Sequence, residues 1–184
     1  MFVAHTYEEV RMEDIAAQAG VSRALMYRYF PTKRDFFAAI FKADSEQLLV
    51  ASEFGTDAPI AEQVVAGLNA HLDYFSAHKH NILTANRGAL AGDPTVQAII
   101  SDQLVTIRNR MLDLMGQGGH SRQVASAALD GWLAFVRAVC VDWLQADQLS
   151  RNEVLDLCLR ALGGILADRI DLNNMVFDRQ RPPS

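Results

Sequence analysis

Ser22, Arg23 and Ala24, followed by Tyr27, Arg28, Thr32 and Lys33, are the stretch of this chain whose residue types and spacing point to a defined chemistry. A hydroxyl, a guanidinium and a methyl stand side by side. One turn later come a phenol, a second guanidinium, another hydroxyl and an ammonium. Such a set is rich in hydrogen-bond donors and free of carboxylates, which suits a surface of acceptors and negative charge. Three short or forked groups to read base edges, with longer donors on either side to hold phosphates, is the division of labour of a DNA contact.

The surrounding residues supply the elements that must position these groups. Residues 12–34 read as two short helices folded over a tight turn and followed by the start of a third, a helix-turn-helix. Ile15, Ala19, Val21, Met26 and Tyr29 are the expected apolar positions where the two helices cross. Ala16 is the small residue at the crossing, and Gly20 can take positive φ in the turn. Ser22 can cap the second helix, whose N-terminus adds partial positive charge beside Arg23.

The run from Tyr7-Glu-Glu-Val-Arg-Met-Glu-Asp-Ile-Ala through Ala-Gly-Val-Ser to Leu-Met-Tyr-Arg-Tyr-Phe-Pro-Thr-Lys-Arg-Asp-Phe-Phe resembles the DNA-binding signature of the TetR/AcrR family of bacterial transcriptional regulators. The resemblance covers about residues 2–45. It implies that Ser22, Arg23 and Ala24 face bases, while Tyr27, Thr32 and Lys33 contact phosphates. It also implies an all-helical ligand-binding and dimerisation domain further along. One departure stands out. The family has a complete first helix before the Tyr7 segment, and here only Met1-Phe-Val-Ala-His corresponds to it. The true start is therefore expected upstream, and the lost brace should leave Ile15, Leu25 and Phe37 under-covered. A chain that really begins here should bind DNA weakly or only as a stabilised dimer.

Half of the 184 residues are hydrophobic, and five prolines and eleven glycines leave room for long helices. The apolar spacing is helical almost throughout, so an all-α fold is expected. The net charge is -5, yet residues 11–42 carry Arg11, Arg23, Arg28, Lys33, Arg34 and Lys42 against Glu13, Asp14 and Asp35. A small basic patch on an acidic body fits a protein that meets phosphate at one end only. Charges within the first twenty residues argue against a signal peptide, and no uncharged run reaches the ~18 to 20 residues that span a bilayer. Cys140 and Cys158 lie in helical patterns without a disulfide framework, so a cytoplasmic protein with no membrane partner is expected.

Local signals mark the later elements. Thr32 with Asp35 can cap a long helix to about Ser52, and Glu53 to Pro59 breaks the pattern. Further helices are expected over 59–78, 80–90, 94–115 with Asp93 as cap and Pro94 in its first turn, from Ser121 to about Ala146, and from a Ser150/Glu153 capping box to near Ile170. The helix-turn-helix unit is assigned to residues 1–45, with its first helix largely missing. A helical ligand-binding and dimerisation domain takes 46–172, and a flexible tail 173–184.

The C-terminal part holds no nucleophile, acid or base constellation, so no catalytic residue and no cofactor is assigned. His71, Asp73, His78 and His80 suggest a metal, but surface and capping histidines are far commoner, and no metal is assigned. Leu72, Phe75, Asn86, Arg87, Met111, Trp132 and Phe135 are the candidates for an apolar pocket with a few polar groups. Leu129 to Leu144 and Val154 to Leu166 are apolar on two sides, with small residues among them, which suits a homodimer contact through the last two long helices.

Together these readings describe a ligand-responsive DNA-binding transcriptional regulator. Its role is taken as a repressor released from operator DNA by a small apolar or amphipathic effector. The alternative is a helical small-molecule sensor or partner-binding protein that no longer binds DNA, and an α-helical enzyme is more distant.

Overall fold

The computed structural model describes residues 5–51, 58–116 and 118–166, and among these there are eight helices and no strand. They are α1 (Met12–Gln18), α2 (Arg23–Tyr29), α3 (Lys33–Ala51), α4 (Ile60–Ala77), α5 (Lys79–Asn86), α6 (Pro94–Leu114), α7 (Gly119–Ala146) and α8 (Arg151–Leu166). The all-α expectation holds. Met1 to Ala4, the 52–57 part of the expected junction, the end of the last helix beyond Leu166 and the 173–184 tail lie outside the described residues.

Most helix starts follow the local signals. The Ser22 hydroxyl accepts from Leu25 N–H at 3.2 Å and caps α2. Thr32 and Asp35 cap α3 reciprocally: Thr32 N–H donates to the Asp35 carboxylate at 3.1 Å and Asp35 N–H to the Thr32 hydroxyl at 3.1 Å. Ser150 and Glu153 make the same box ahead of α8. Asp93 caps α6 by accepting from Thr95 and Val96 N–H, with Pro94 in the first turn.

Two boundaries differ from the expectation. α7 starts at Gly119 rather than Ser121, because Gly119 takes φ +59 and Arg122 N–H already closes a helical turn on the Gly118 carbonyl. α5 stops at Asn86 rather than near residue 90. Arg87 and Gly88 N–H both close on the Leu83 carbonyl, and the chain then turns so that Leu90 enters the core at 6% exposure.

α3 packs on α6 and α4, α6 on α7, and α7 on α8, while α4 also touches α7 and α8. A continuous core runs from Val10, Ile15 and Met26 through Phe37 and Phe41 to Leu72, Leu129, Val154 and Leu162. α3 is thus shared: its first turns support α1 and α2, and its later turns face the C-terminal helices. Arg34 reaches Asp93 at 3.4 Å and ties the start of α3 to the start of α6, with the Asp93 side chain only 7% exposed. Asp93→Ala removes a cap and this ion pair together. It should lower unfolding free energy by about 1–2 kcal/mol, read as a lower urea midpoint at unchanged slope. A midpoint within error of the parent would show that α6 does not depend on its cap.

α7 is long and apolar enough, by length and composition, to cross a membrane, with a stretch of mean hydropathy 1.6. Here it is a core helix, with Leu129, Trp132, Leu133, Val136, Cys140 and Leu144 facing inward. Yet only 39% of that stretch is buried, so much of an apolar helix still faces outward.

Candidate nucleic-acid interface and effector cavity

α1 and α2 meet through Ile15, Ala16 and Met26, all buried, and Gly20 between them holds φ +66. The wider crossing set expected from the sequence does not form. Tyr29 is 69% exposed, Val21 36%, and Ala19 is also exposed. Met26 and Tyr29 are three apart and share a side of α2, but Tyr29 is the last residue of the helix and stands at its open end. Ile15 and Phe37 are covered at 6% and 1% exposure, contrary to the under-covering expected without a first helix. Tyr7 closes edge-on against Phe37, with ring centres 5.6 Å apart, and Phe37 stacks on Phe41 at 5.8 Å. Of the three residues expected to lose cover, Leu25 alone stays open, at 40%.

The recognition side of α2 is accessible: Ser22, Arg23, Ala24, Tyr27 and Arg28 are all exposed, as is Thr32 ahead of α3. Glu13 of α1 gathers two of these groups. Its carboxylate pairs with Arg23 at 3.1 Å and accepts from the Tyr27 hydroxyl at 3.4 Å. The Glu13 carboxyl is held below its usual range first by its own backbone N–H, with Arg23 adding to the effect. Arg23 is thus held by a carboxylate of its own unit, a pair that a polyanion would compete with. Lys33 is placed differently from an outward phosphate contact. Its ammonium donates to the Tyr7 carbonyl at 2.7 Å and the Val10 carbonyl at 3.1 Å, and lies 4.3 Å from the centre of the Tyr7 ring.

Residues 1–40 match the family model described as bacterial regulatory proteins, tetR family. The N-terminal unit is similar to that of tetR-family regulators. The tetR-type fold extends beyond the matched segment. A tetR-family transcriptional regulator from Streptomyces coelicolor superposes with a TM-score of 0.81, at 20% identity over 91% of this chain and 76% of that one. A TetR transcriptional regulator from Rhodococcus sp. RHA1 gives 0.63, at 19% identity over 91% and 89%. No curated protein matches the sequence. The likeness to these solved structures is one of fold.

The C-terminal helices enclose a cavity of about 900 Å³ of empty space, measured to its open mouth. The free space between its walls is narrow, so the side chains nearly meet. Of the seven pocket residues expected from the sequence, Phe75, Asn86, Met111 and Trp132 line it. The other three lie elsewhere. Leu72 is fully buried core, Arg87 pairs with Asp142 on the surface at 2.6 Å, and Phe135 is half-buried against the core. The sequence reading missed Phe41 and Ser45 of α3, His71 and Tyr74 of α4, Gln103 of α6 and Arg137 of α7, which all line it. Arg137 carried a signal: a cation inside the apolar run 129–144 needs a partner or a polar hollow.

Several polar side chains interrupt this lining. Arg137 Nε donates to Asn86 Oδ1 at 2.7 Å, and Asn86 is itself held by its amide on the Ile82 carbonyl at 2.7 Å. His71 lies tilted against Phe75, ring centres 4.1 Å apart, with Nε2 buried and unpartnered. Burial, and then the nearby Arg137 charge, pull its pKa down to about 4, so the ring is neutral at pH 7. Burial pushes the Tyr74 phenol up, with Asp44 adding to it. His78 lies between α4 and α5 with Nδ1 2.9 Å from the Tyr74 carbonyl, and no metal-ligating cluster occurs among the described residues.

Proposed function

We propose that the protein is a homodimeric repressor that leaves its operator when a small amphipathic molecule enters the C-terminal cavity. The observation that carries this reading is that α3 contributes Phe41 and Ser45 to the cavity wall. The first turns of the same helix hold the segment ahead of α1, through Tyr7 against Phe37 and the Lys33 bonds, and share a core with Ile15 and Met26. Opening a nearly closed cavity must move one of its walls. A displaced α3 carries the recognition helix with it, and a dimer then loses the match to major grooves about 34 Å apart. The ligand acts by favouring the parted state, to the extent of its tighter binding there.

The outward face of α7 and α8 supports the dimer. Leu157 and Ile165 are exposed, and nothing packs on Gly131 or Gly164. Two copies can bring such faces close and bury the apolar surface that one copy leaves open. We place the reading unit at residues 1–45 and the sensing and dimerising unit at 46–172. Within the reading unit, Ser22, Arg23 and Ala24 address bases, and Tyr27, Arg28 and Thr32 address phosphates.

The test is binding to the DNA flanking the chain's own gene, followed by fluorescence anisotropy across a salt series. Arg23→Ala should cost the preferred sequence about 5- to 150-fold in affinity and relax preference at one base step. Ser22 still caps α2 in this variant, so the fold is kept. No binding at any salt in the parent protein would hand the case to a sensor that no longer binds DNA, and equal affinity for all DNA would overturn the operator-specific reading.

A further inference from the structure

The cavity that the proposed function treats as the effector site has a lining of one sign. Arg110 and Arg137 reach it, and no aspartate or glutamate does. Three polar atoms that line it are buried without a hydrogen-bond partner: His71 Nε2, Tyr74 Oη and Gln103 Nε2. Arg137 has its Nε on Asn86, and none of the ion pairs among the described residues includes it. Burial without a counter-charge pulls the Arg137 pKa down to about 10, which marks a guanidinium held at a cost. The rest of the wall is apolar: Phe41, Val64, Leu68, Phe75, Ile100 and Trp132 among others.

Each ligand class meets this wall differently. A hydrophobic cation would face two arginines and no carboxylate. A neutral hydrocarbon would fill the apolar part and leave the Arg137 charge without a counter-charge and the Gln103 amide without an acceptor. A molecule with a compact oxyanion at one end meets every demand: the guanidinium offers a planar fork to a carboxylate, and the phenol and the amide can add further donors. His71, neutral beside Arg137, brings no competing cation.

We propose that the cavity takes an amphipathic carboxylate, its head on Arg137, Gln103 and Tyr74 and its apolar body against Phe41, Phe75 and Trp132. Asn86 acts as a positioning residue, because its amide oxygen holds the Arg137 Nε. The proposal rests on the cavity being the effector site, so binding is measured without DNA and release from DNA separately.

The probes are decanoate, 1-decanol and decyltrimethylammonium, which share an apolar chain and differ in head charge. Each is titrated into the full-length protein, below its micelle concentration, by calorimetry and by Trp132 emission. Decanoate should bind at least tenfold more tightly than decanol, and the ammonium should not saturate. Arg137→Met should bring decanoate down to the decanol level. Arg137→Lys, which keeps the charge and loses the fork, should fall between. Arg87→Gln removes a surface arginine and should change nothing. Decanol binding as tightly as decanoate, a preference that survives in Arg137→Met, or decanoate failing to saturate would each overturn the proposal. If decanoate binds through Arg137 while operator DNA stays bound, the ligand class stands and the release mechanism falls.

Discussion

Replacing Lys33 with methionine should lower the stability of the helix-turn-helix unit by about 2–3 kcal/mol and weaken binding to every DNA sequence, while the salt dependence of binding stays as it was. The stability loss follows from two charge-assisted bonds, at 2.7 and 3.1 Å, that fasten the segment ahead of α1 to the first turn of α3. Hydrogen bonds to a charged group are worth about 1.5–3 kcal/mol each, and partial exposure brings the pair toward the lower end. The Tyr7 ring packed over the ammonium is lost as a cation–π contact as well. Binding weakens because Tyr7 and Val10, once released, no longer brace Phe37 and α1. A lysine that neutralises a phosphate acts differently: its loss reduces the salt slope by about one counterion. A slope reduced by about one, with unfolding free energy unchanged, would return Lys33 to the phosphate-contact role that family resemblance implies.

The second large effect belongs to His71. Its folded pKa of about 4 lies below the ordinary histidine value of 6.5, so the unfolded chain takes up a proton that the folded one refuses. Stability from this group is complete above pH 6.5 and is lost as pH falls from 6.5 toward 4, by about 3 kcal/mol in all. Carboxylates such as Asp35 and Glu153 are held low by their capping bonds and also lose stability in acid. Comparison with His71→Phe cancels their part, because both proteins keep them. The difference in unfolding free energy between parent and variant should shift by about 3 kcal/mol toward the variant between pH 7 and pH 4, read from urea melts. A constant difference across that range would mean that the ring is solvated and that its Nε2 is not sealed in the cavity wall.

Both effects concern residues whose partners lie far along the chain, and that is where the sequence reading stopped. The Ser22, Asp93 and Ser150 caps were legible because each closes a bond within three residues. Gly20 was legible because a turn between two short helices needs positive φ. The crossing set of the helix-turn-helix was half right: spacing identified Ile15 and Met26, but it could not tell that the short α2 would leave Tyr29 in solvent. Four of seven pocket residues were found by choosing aromatic and polar groups on core-facing helices. Leu72, Arg87 and Phe135 went elsewhere, since a helix in a packed bundle has several inward directions and only one leads to the cavity. His71 was weighed as a metal ligand when its actual setting is a hydrophobic wall beside Phe75.

By itself, then, the sequence determined the helices, most of their ends and the likeness of the N-terminal unit to tetR-family regulators, because these rest on backbone bonds and side-chain periodicities that span a few residues. Tertiary structure alone decided that Lys33 fastens the segment before α1, that Phe41 and Ser45 carry α3 into the cavity wall, and that Arg137 waits there beside Asn86 without a carboxylate. Those outcomes depend on which helix faces pack together across 26 to 96 positions of chain, and packing is settled by volume, desolvation and charge acting at once rather than by any local signal.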